Sequence, residues 1–273
     1  MPSFSFSNFV YFDTNIILEI AKNKSLWNDL YTFLERNDLT MGLSTGQIAE
    51  IADAKKLHQP LVGLFLSVPT ALLKVWDEIV NEEIESHPNE RTKTLMMYPL
   101  NAILAEKNGI DKLFNFLSSG NLANARNQQK TLATKMNQRH QQLKGNFSPS
   151  KSGKYEKEQA SSFADVLVIQ MLANINRQFL VDMNKDISLL HLEVFKSIRT
   201  YAFVLFYKYY LGNREPSKLS DFGDLGHLFY LPYCKLIVME RDLCTILNQI
   251  KQNQDVLENS IIKNIEFLKN WDY

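Results

Sequence analysis

Asp13 stands at the end of an apolar run, Val10-Tyr11-Phe12, and is followed by Thr14 and Asn15. Glu240 has the same setting, at the end of Lys235-Leu236-Ile237-Val238-Met239. Glu50 lies beside Ile48, Ala49 and Ile51, away from the solvent-facing lysines. A fourth group is Asp221, Asp224 and His227, spaced i, i+3 and i+6, which a helix would place in one stripe. Acids at strand ends are costly to bury without a cation, a donor or water. Several carboxylates in one cleft cannot all stay ionised without a counter-cation. A hard divalent ion, Mg²⁺ or Mn²⁺, held by oxygens is the economical partner. Such a site suits phosphoryl chemistry, in which the cation activates water and steadies a leaving oxygen.

These acids come together only if the elements that carry them form one sheet. Residues 9–13 read as a buried strand, and Thr14 or Asn15 could cap a helix over roughly 15–35. Leu39 to Ser44 reads as a second strand, after which Ser44 or Thr45 caps a helix carrying Ile48, Ile51, Ala52 and Leu57. Ala71 to Trp76 is apolar enough for a third strand. Residues 160–182 and 186–212 read as two long core helices, with the aromatics from Phe195 to Tyr210 as packing. Pro232 ends the helix that carries His227, Lys235–Met239 is a strand, and 243–271 is a closing amphipathic helix or pair of helices. Strands alternating with helices predict an α/β fold around a parallel sheet, where ligands bind at the carboxyl edge.

The composition excludes little. The chain has 273 residues, with 30 Lys plus Arg against 30 Asp plus Glu, so net charge identifies no polyanionic partner. Local clustering is more informative. From Asn121 to Tyr155 there is no Asp or Glu, and Arg126 with Lys130, and Lys135 with Arg139, fall four apart on a shared helix face. That window is either a solvated surface or an electrostatic track for nucleic acid. Cys234 and Cys244 make no CxxC or zinc pattern and read as reduced thiols of a cytoplasmic protein. The opening Met-Pro-Ser-Phe-Ser-Phe-Ser-Asn is not a signal-peptide pattern. Leu189–Leu211 carries His191, Glu193, Lys196, Arg199 and Lys208, so it reads as a buried or amphipathic helix and not as a membrane span.

The ordered motifs resemble the PIN-domain ribonuclease family. They are Tyr11-Phe12-Asp13-Thr14-Asn15, then Leu43-Ser44 through Ile48-Ala49-Glu50-Ile51, then Asp221-Phe222-Gly223-Asp224-Leu225-Gly226-His227, and finally Ile237-Val238-Met239-Glu240-Arg241. The resemblance covers about the first 85 residues and 215–245. It implies a three-layer α/β/α core formed by 1–88 and 213–273, with 89–212 as a helical insertion bearing the basic segment 121–155.

The resemblance also implies a Mg²⁺- or Mn²⁺-dependent endonuclease, most often one acting on RNA, with DNA as the other substrate class. Asp13, Glu50, Asp224 and Glu240 would hold the cation, with Asp221 competing with Asp224. Asn15 would support the first acid, and His227 would be a structural hydrogen-bond partner or a base. Arg126, Lys130, Lys135 and Arg139 would meet the nucleic acid. The last motif departs from the family, which more often has Thr-Asp or Thr-x-Asp where this chain has Met239-Glu240, and Asp242 is a rival ligand. That departure keeps open a PIN-like module that holds RNA or a protein partner through a weakened site; a protein partner or a homo-oligomer is a separate expectation. A different phosphohydrolase is disfavoured, because Asp13-Thr14-Asn15 lacks the second Asp of a DxD nucleophile and no Gly-rich phosphate loop is present.

Overall fold

The structure, a computed structural model, describes residues 8–118, 134, 138, 141, 147–150, 152–183, 189–212 and 224–271; of 110, 114, 116–118 and 224 it describes the backbone alone. The expected class is correct. The fold is α/β, with a six-stranded, mostly parallel sheet between helical layers.

The strands are β1 (Phe9–Phe12), β2 (Thr40–Leu43), β3 (Thr70–Leu73), β4 (Met96–Pro99), β5 (Leu236–Met239) and β6 (Ile261–Asn264), in the spatial order β4-β3-β2-β1-β5-β6. All neighbouring pairs are parallel except β3 with β4. The chain runs outward from β1 through β2 and β3 to β4, then returns to the other side of β1 with β5 and β6. The order therefore reverses at β1. In open α/β sheets, the crevice beyond the carboxyl ends at such a reversal is where ligands bind.

Period-two alternation assigns the two faces. Phe9, Tyr11, Ala71, Leu73, Ile237 and Met239 turn to one side and join a core built on helices Gln159–Ile175, Lys196–Leu205 and Arg241–Asn253. Val10, Phe12, Met41, Leu43, Leu236 and Val238 turn to the other side, against α1 (Thr14–Lys22), α2 (Ser25–Arg36), α3 (Thr45–Asp53) and α4 (His58–Ser67). Both faces of the central strands are buried, which explains their uninterrupted apolar runs. At Gly42 a Cβ would come within 2.9 Å of Leu73 Cδ1, so a larger residue there would require the Leu73 side chain to shift.

Several elements differ from the sequence reading. The single helix expected over 15–35 is two, because Asn23 folds its side chain back to accept from the backbone N–H of Ser25 at 3.3 Å and its hydroxyl at 2.7 Å, breaking the helix and opening the next. The cap of α1 is Asp13 and not Thr14 or Asn15. Segment 89–212 is not purely helical, for it supplies the edge strand β4. The helix expected over 186–212 is a short 3₁₀ turn at Leu192–Val194 and then Lys196–Leu205, widening into a π-helical turn at Phe206–Leu211. The closing segment contains a strand, β6, paired with β5. The element carrying His227 is a 3₁₀ helix, Asp224–Tyr233, with Pro232 inside it rather than ending it.

Candidate active site

The carboxyl ends of β1, β2 and β5 lie side by side, and each delivers a polar residue to the same edge. Asp13 follows β1. Its backbone N–H donates to the Val238 carbonyl of β5 at 2.8 Å, which extends the ladder by one rung and fixes the acid at the edge. Its carboxylate then turns back to accept from the Asn15 N–H at 3.0 Å, capping α1. Glu240 follows β5 and occupies the matching cap position of helix Arg241–Asn253, but its side chain makes no cap hydrogen bond there. Instead it accepts from the Asn15 side-chain amide at 2.6 Å. Asn15 thus ties the two acidic strand ends together across the reversal point, through its backbone to one and its side chain to the other.

Glu50 comes from the middle of α3, and α3 is anchored at its first turn. Ser44 accepts from the Gln47 backbone N–H at 3.2 Å, while the Gln47 side chain accepts from the Ser44 N–H at 3.0 Å, a reciprocal capping box. The same Gln47 side chain donates to the Phe12 carbonyl at 2.5 Å, which clamps α3 to the end of β1. Glu50 then receives the Thr14 hydroxyl on Oε2 and His227 Nε2, at 3.2 Å, on Oε1. His227 is further held at Nδ1 by the Tyr11 hydroxyl at 2.7 Å, with Ser44 Oγ at 3.3 Å.

The ionisation of these groups records their closeness. Burial pushes the Asp13 carboxyl above its ordinary value; the Asn15 N–H and the nearby His227 pull it down, and Glu240 and Glu50 push it up again. Burial acts on Glu50 in the same direction, but the hydrogen bond and electrostatic pull of the His227 ring, with help from Thr14, outweigh it and leave the carboxyl below its ordinary value. The edge therefore holds two differently prepared acids. Glu50 is a firmly ionised carboxylate in a cradle of donors. Asp13 is a half-buried carboxylate pressed by like charges, which a cation would relieve.

Asp13, Asn15, Glu50, His227 and Glu240 are thus linked by contact or by charge at one edge. Asp221 lies outside the described residues, as does the side chain of Asp224. The basic residues Arg126, Lys130, Lys135 and Arg139 also lie outside them. Asp242 sits exposed in the first turn of helix Arg241–Asn253. Oxygen donors of this kind suit a hard divalent ion. Among the described residues, however, no three His, Cys, Asp or Glu side chains lie close enough together to hold a metal.

Four positions of this edge escaped the sequence reading: Tyr11, Thr14 as a partner of Glu50, Ser44 as a site residue, and Gln47. The Ser44-x-x-Gln47 spacing is a capping-box signal and could have identified the last. Nothing local marks Tyr11, whose role depends on the pairing of β1 with β2 and on His227 arriving from far along the chain. Comparison with protein-family models, with curated proteins and with solved structures finds no match to this chain.

Proposed function

We propose that this protein is a Mg²⁺- or Mn²⁺-dependent endonuclease, of the kind the PIN-domain resemblance implies, acting on RNA. The observation that supports this reading most is the Asn15 bridge. It holds Glu240 at 2.6 Å while its own N–H holds Asp13, so acids from the two central strands share the ligand-binding edge of the sheet. Asp13 and Glu240 would hold the cation; Glu50 from α3 does not lie close enough to them to complete a three-acid site as placed, and would have to move toward them to join. Asp224, which opens the 3₁₀ helix beside the site, is a fourth candidate. Bound there, the cation would supply Lewis-acid stabilisation of the phosphoryl group. The chain's own part is to order the acids: Asn15 orients two of them, Gln47 fixes the helix that carries the third, and Thr14 and His227 keep Glu50 ionised.

Incubation of the purified protein with end-labelled single-stranded RNA and Mn²⁺ tests this. Cleavage that is lost in Asp13→Asn supports it; no cleavage, or cleavage that survives Asp13→Asn, overturns it. One observation favours a second reading, a PIN-like module that binds RNA or protein through a weakened site. Glu50 already accepts from Thr14 on one oxygen and His227 on the other, so a cation would have to share this carboxylate with two donors that hold it in place. Isothermal titration separates the two: tight Mn²⁺ binding counts against a module with a weakened site, and an absence of Mn²⁺ binding counts against the nuclease.

A further inference from the structure

The hydrogen bonds behind Glu50 form a ladder whose geometry favours one placement of the protons. A carboxylate oxygen only accepts, so His227 Nε2, 3.2 Å from Glu50 Oε1, carries a hydrogen. At the other ring nitrogen two arrangements compete. In the first, the Tyr11 hydroxyl donates to Nδ1 at 2.7 Å, the Ser44 hydroxyl donates to the Tyr11 oxygen at 3.0 Å, and the Gln47 N–H donates to Ser44 at 3.2 Å. Every contact is then within ordinary hydrogen-bond range. In the second, Nδ1 carries a hydrogen and donates to Tyr11, and Tyr11 donates to Ser44. The Ser44 hydroxyl is then left with Gln47 Oε1 at 3.5 Å, at the limit of a useful bond. Tyr11 and Ser44 are wholly buried, so no solvent compensates for a poor rung.

We infer that Tyr11, backed by Ser44, is a positioning residue: it donates to His227 Nδ1, fixes the imidazole as the Nε2–H tautomer, and thereby makes His227 a permanent donor to Glu50 rather than a base. The ring is fixed further by its packing, with its centroid 6.1 Å from that of Tyr11, and Tyr11 is itself stacked on Tyr230 at 5.9 Å. With Nε2–H directed at Glu50 and the Nδ1 lone pair accepting from Tyr11, the ring serves the acid as a donor. His227 sets where the Glu50 carboxylate lies, and Tyr11 sets which nitrogen of His227 faces it. This reading of the ladder does not need the nuclease assignment; only its effect on a bound cation rests on that assignment.

Long-range ¹H–¹⁵N spectra of ring-labelled protein at pH 8 test it without reference to activity. The expected wild-type signature is a protonated Nε2 with a bare, hydrogen-bonded Nδ1 at His227. In Tyr11→Phe the Nδ1 signal should move toward that of a nitrogen without a donor, or the ring should sample both tautomers. Ser44→Ala should give a smaller change in the same direction, because it removes the second rung and leaves the first. A wild-type ring protonated at Nδ1, or a Tyr11→Phe spectrum identical to wild type in a folded protein, overturns the inference. Mn²⁺ titration of the same two proteins is a separate readout. A several-fold weaker affinity in Tyr11→Phe joins the ladder to the proposed site. An absence of Mn²⁺ binding in both counts against the nuclease reading and leaves the spectra to decide the positioning role.

Discussion

Replacing Glu83 with glutamine should flatten the pH dependence of this protein's stability. Glu83 lies in α5 (Trp76–Ser86) and is fully buried. One of its carboxylate oxygens accepts from the Ser197 N–H at 2.8 Å and the Tyr233 hydroxyl at 2.5 Å, and the other has no hydrogen-bond partner among the described residues. Burial raises the carboxyl from 4.5 to about 7, against the opposing pull of Tyr233, Ser197 and the Arg91 charge. Because the folded-state pKa is the higher one, the folded chain holds this proton more tightly than the unfolded chain. The resulting stability is fully present below 4.5 and is lost as pH rises through about 7. At about 1.4 kcal/mol per pH unit the loss is about 3 kcal/mol between those limits.

Glutamine keeps the acceptor for Ser197 and Tyr233 but carries no titrating proton. Its amide N–H₂ stands where the protonated acid's O–H stood, so the two proteins should be close in stability at pH 5. By pH 8 Glu83→Gln should be the more stable by about 3 kcal/mol. Urea unfolding at half-unit pH steps measures the difference between the two curves, in which every other titrating group cancels. If the wild-type and Glu83→Gln curves run parallel from pH 5 to 8, Glu83 does not hold its proton as argued.

Three other expectations can be checked together. Gln47→Ala should lose roughly 2 kcal/mol of unfolding free energy, since it removes half a capping box and leaves the buried Phe12 carbonyl without its donor; a change below about 0.5 kcal/mol, the usual range for neutral surface sites, would contradict the clamp. Asn101→Ala should cost about 3 kcal/mol or more, because the Asn101 side chain accepts from the Thr70 N–H and donates to the Phe65 and Val68 carbonyls, three buried backbone groups at the edge of β3; denaturant midpoints report it. Glu240→Gln should lower the midpoint of Asp13 ionisation, because the Glu240 charge is one of the terms that raise it; carboxyl ¹³C spectra follow this directly, and an unmoved Asp13 would mean that the two acids do not share an edge.

The strands that carry acids were readable because each is an apolar run buried on both faces that stops abruptly at a charge, as at Phe12-Asp13 and Met239-Glu240. The two edge strands were not. In β4, Met96-Met97-Tyr98-Pro99 sits in a polar neighbourhood and ends in a proline that only an edge tolerates. In β6, Ile261-Ile262-Lys263-Asn264 is half-buried, so its pattern is too short and too mixed to stand out against the helix before it. The acids could be listed from sequence, but their partners could not. Asn15 reaches Glu240, and Tyr11 reaches His227, only because β1 lies between β2 and β5. The stripe of Asp221, Asp224 and His227 assumed α-helical spacing; the described part of that element is 3₁₀, in which residues three apart eclipse one another.

The central claim is that Asp13 and Glu240, bridged by Asn15, form the edge of a divalent-cation site. A crystal of the protein grown with Mn²⁺ and measured near the manganese absorption edge tests it most directly. The account predicts an anomalous peak beyond the carboxyl ends of β1 and β5, with Asp13 and Glu240 oxygens within roughly 2.0–2.6 Å of it. A saturated crystal with no peak at that edge, or with manganese bound elsewhere and Asn15 still holding Glu240, would contradict it.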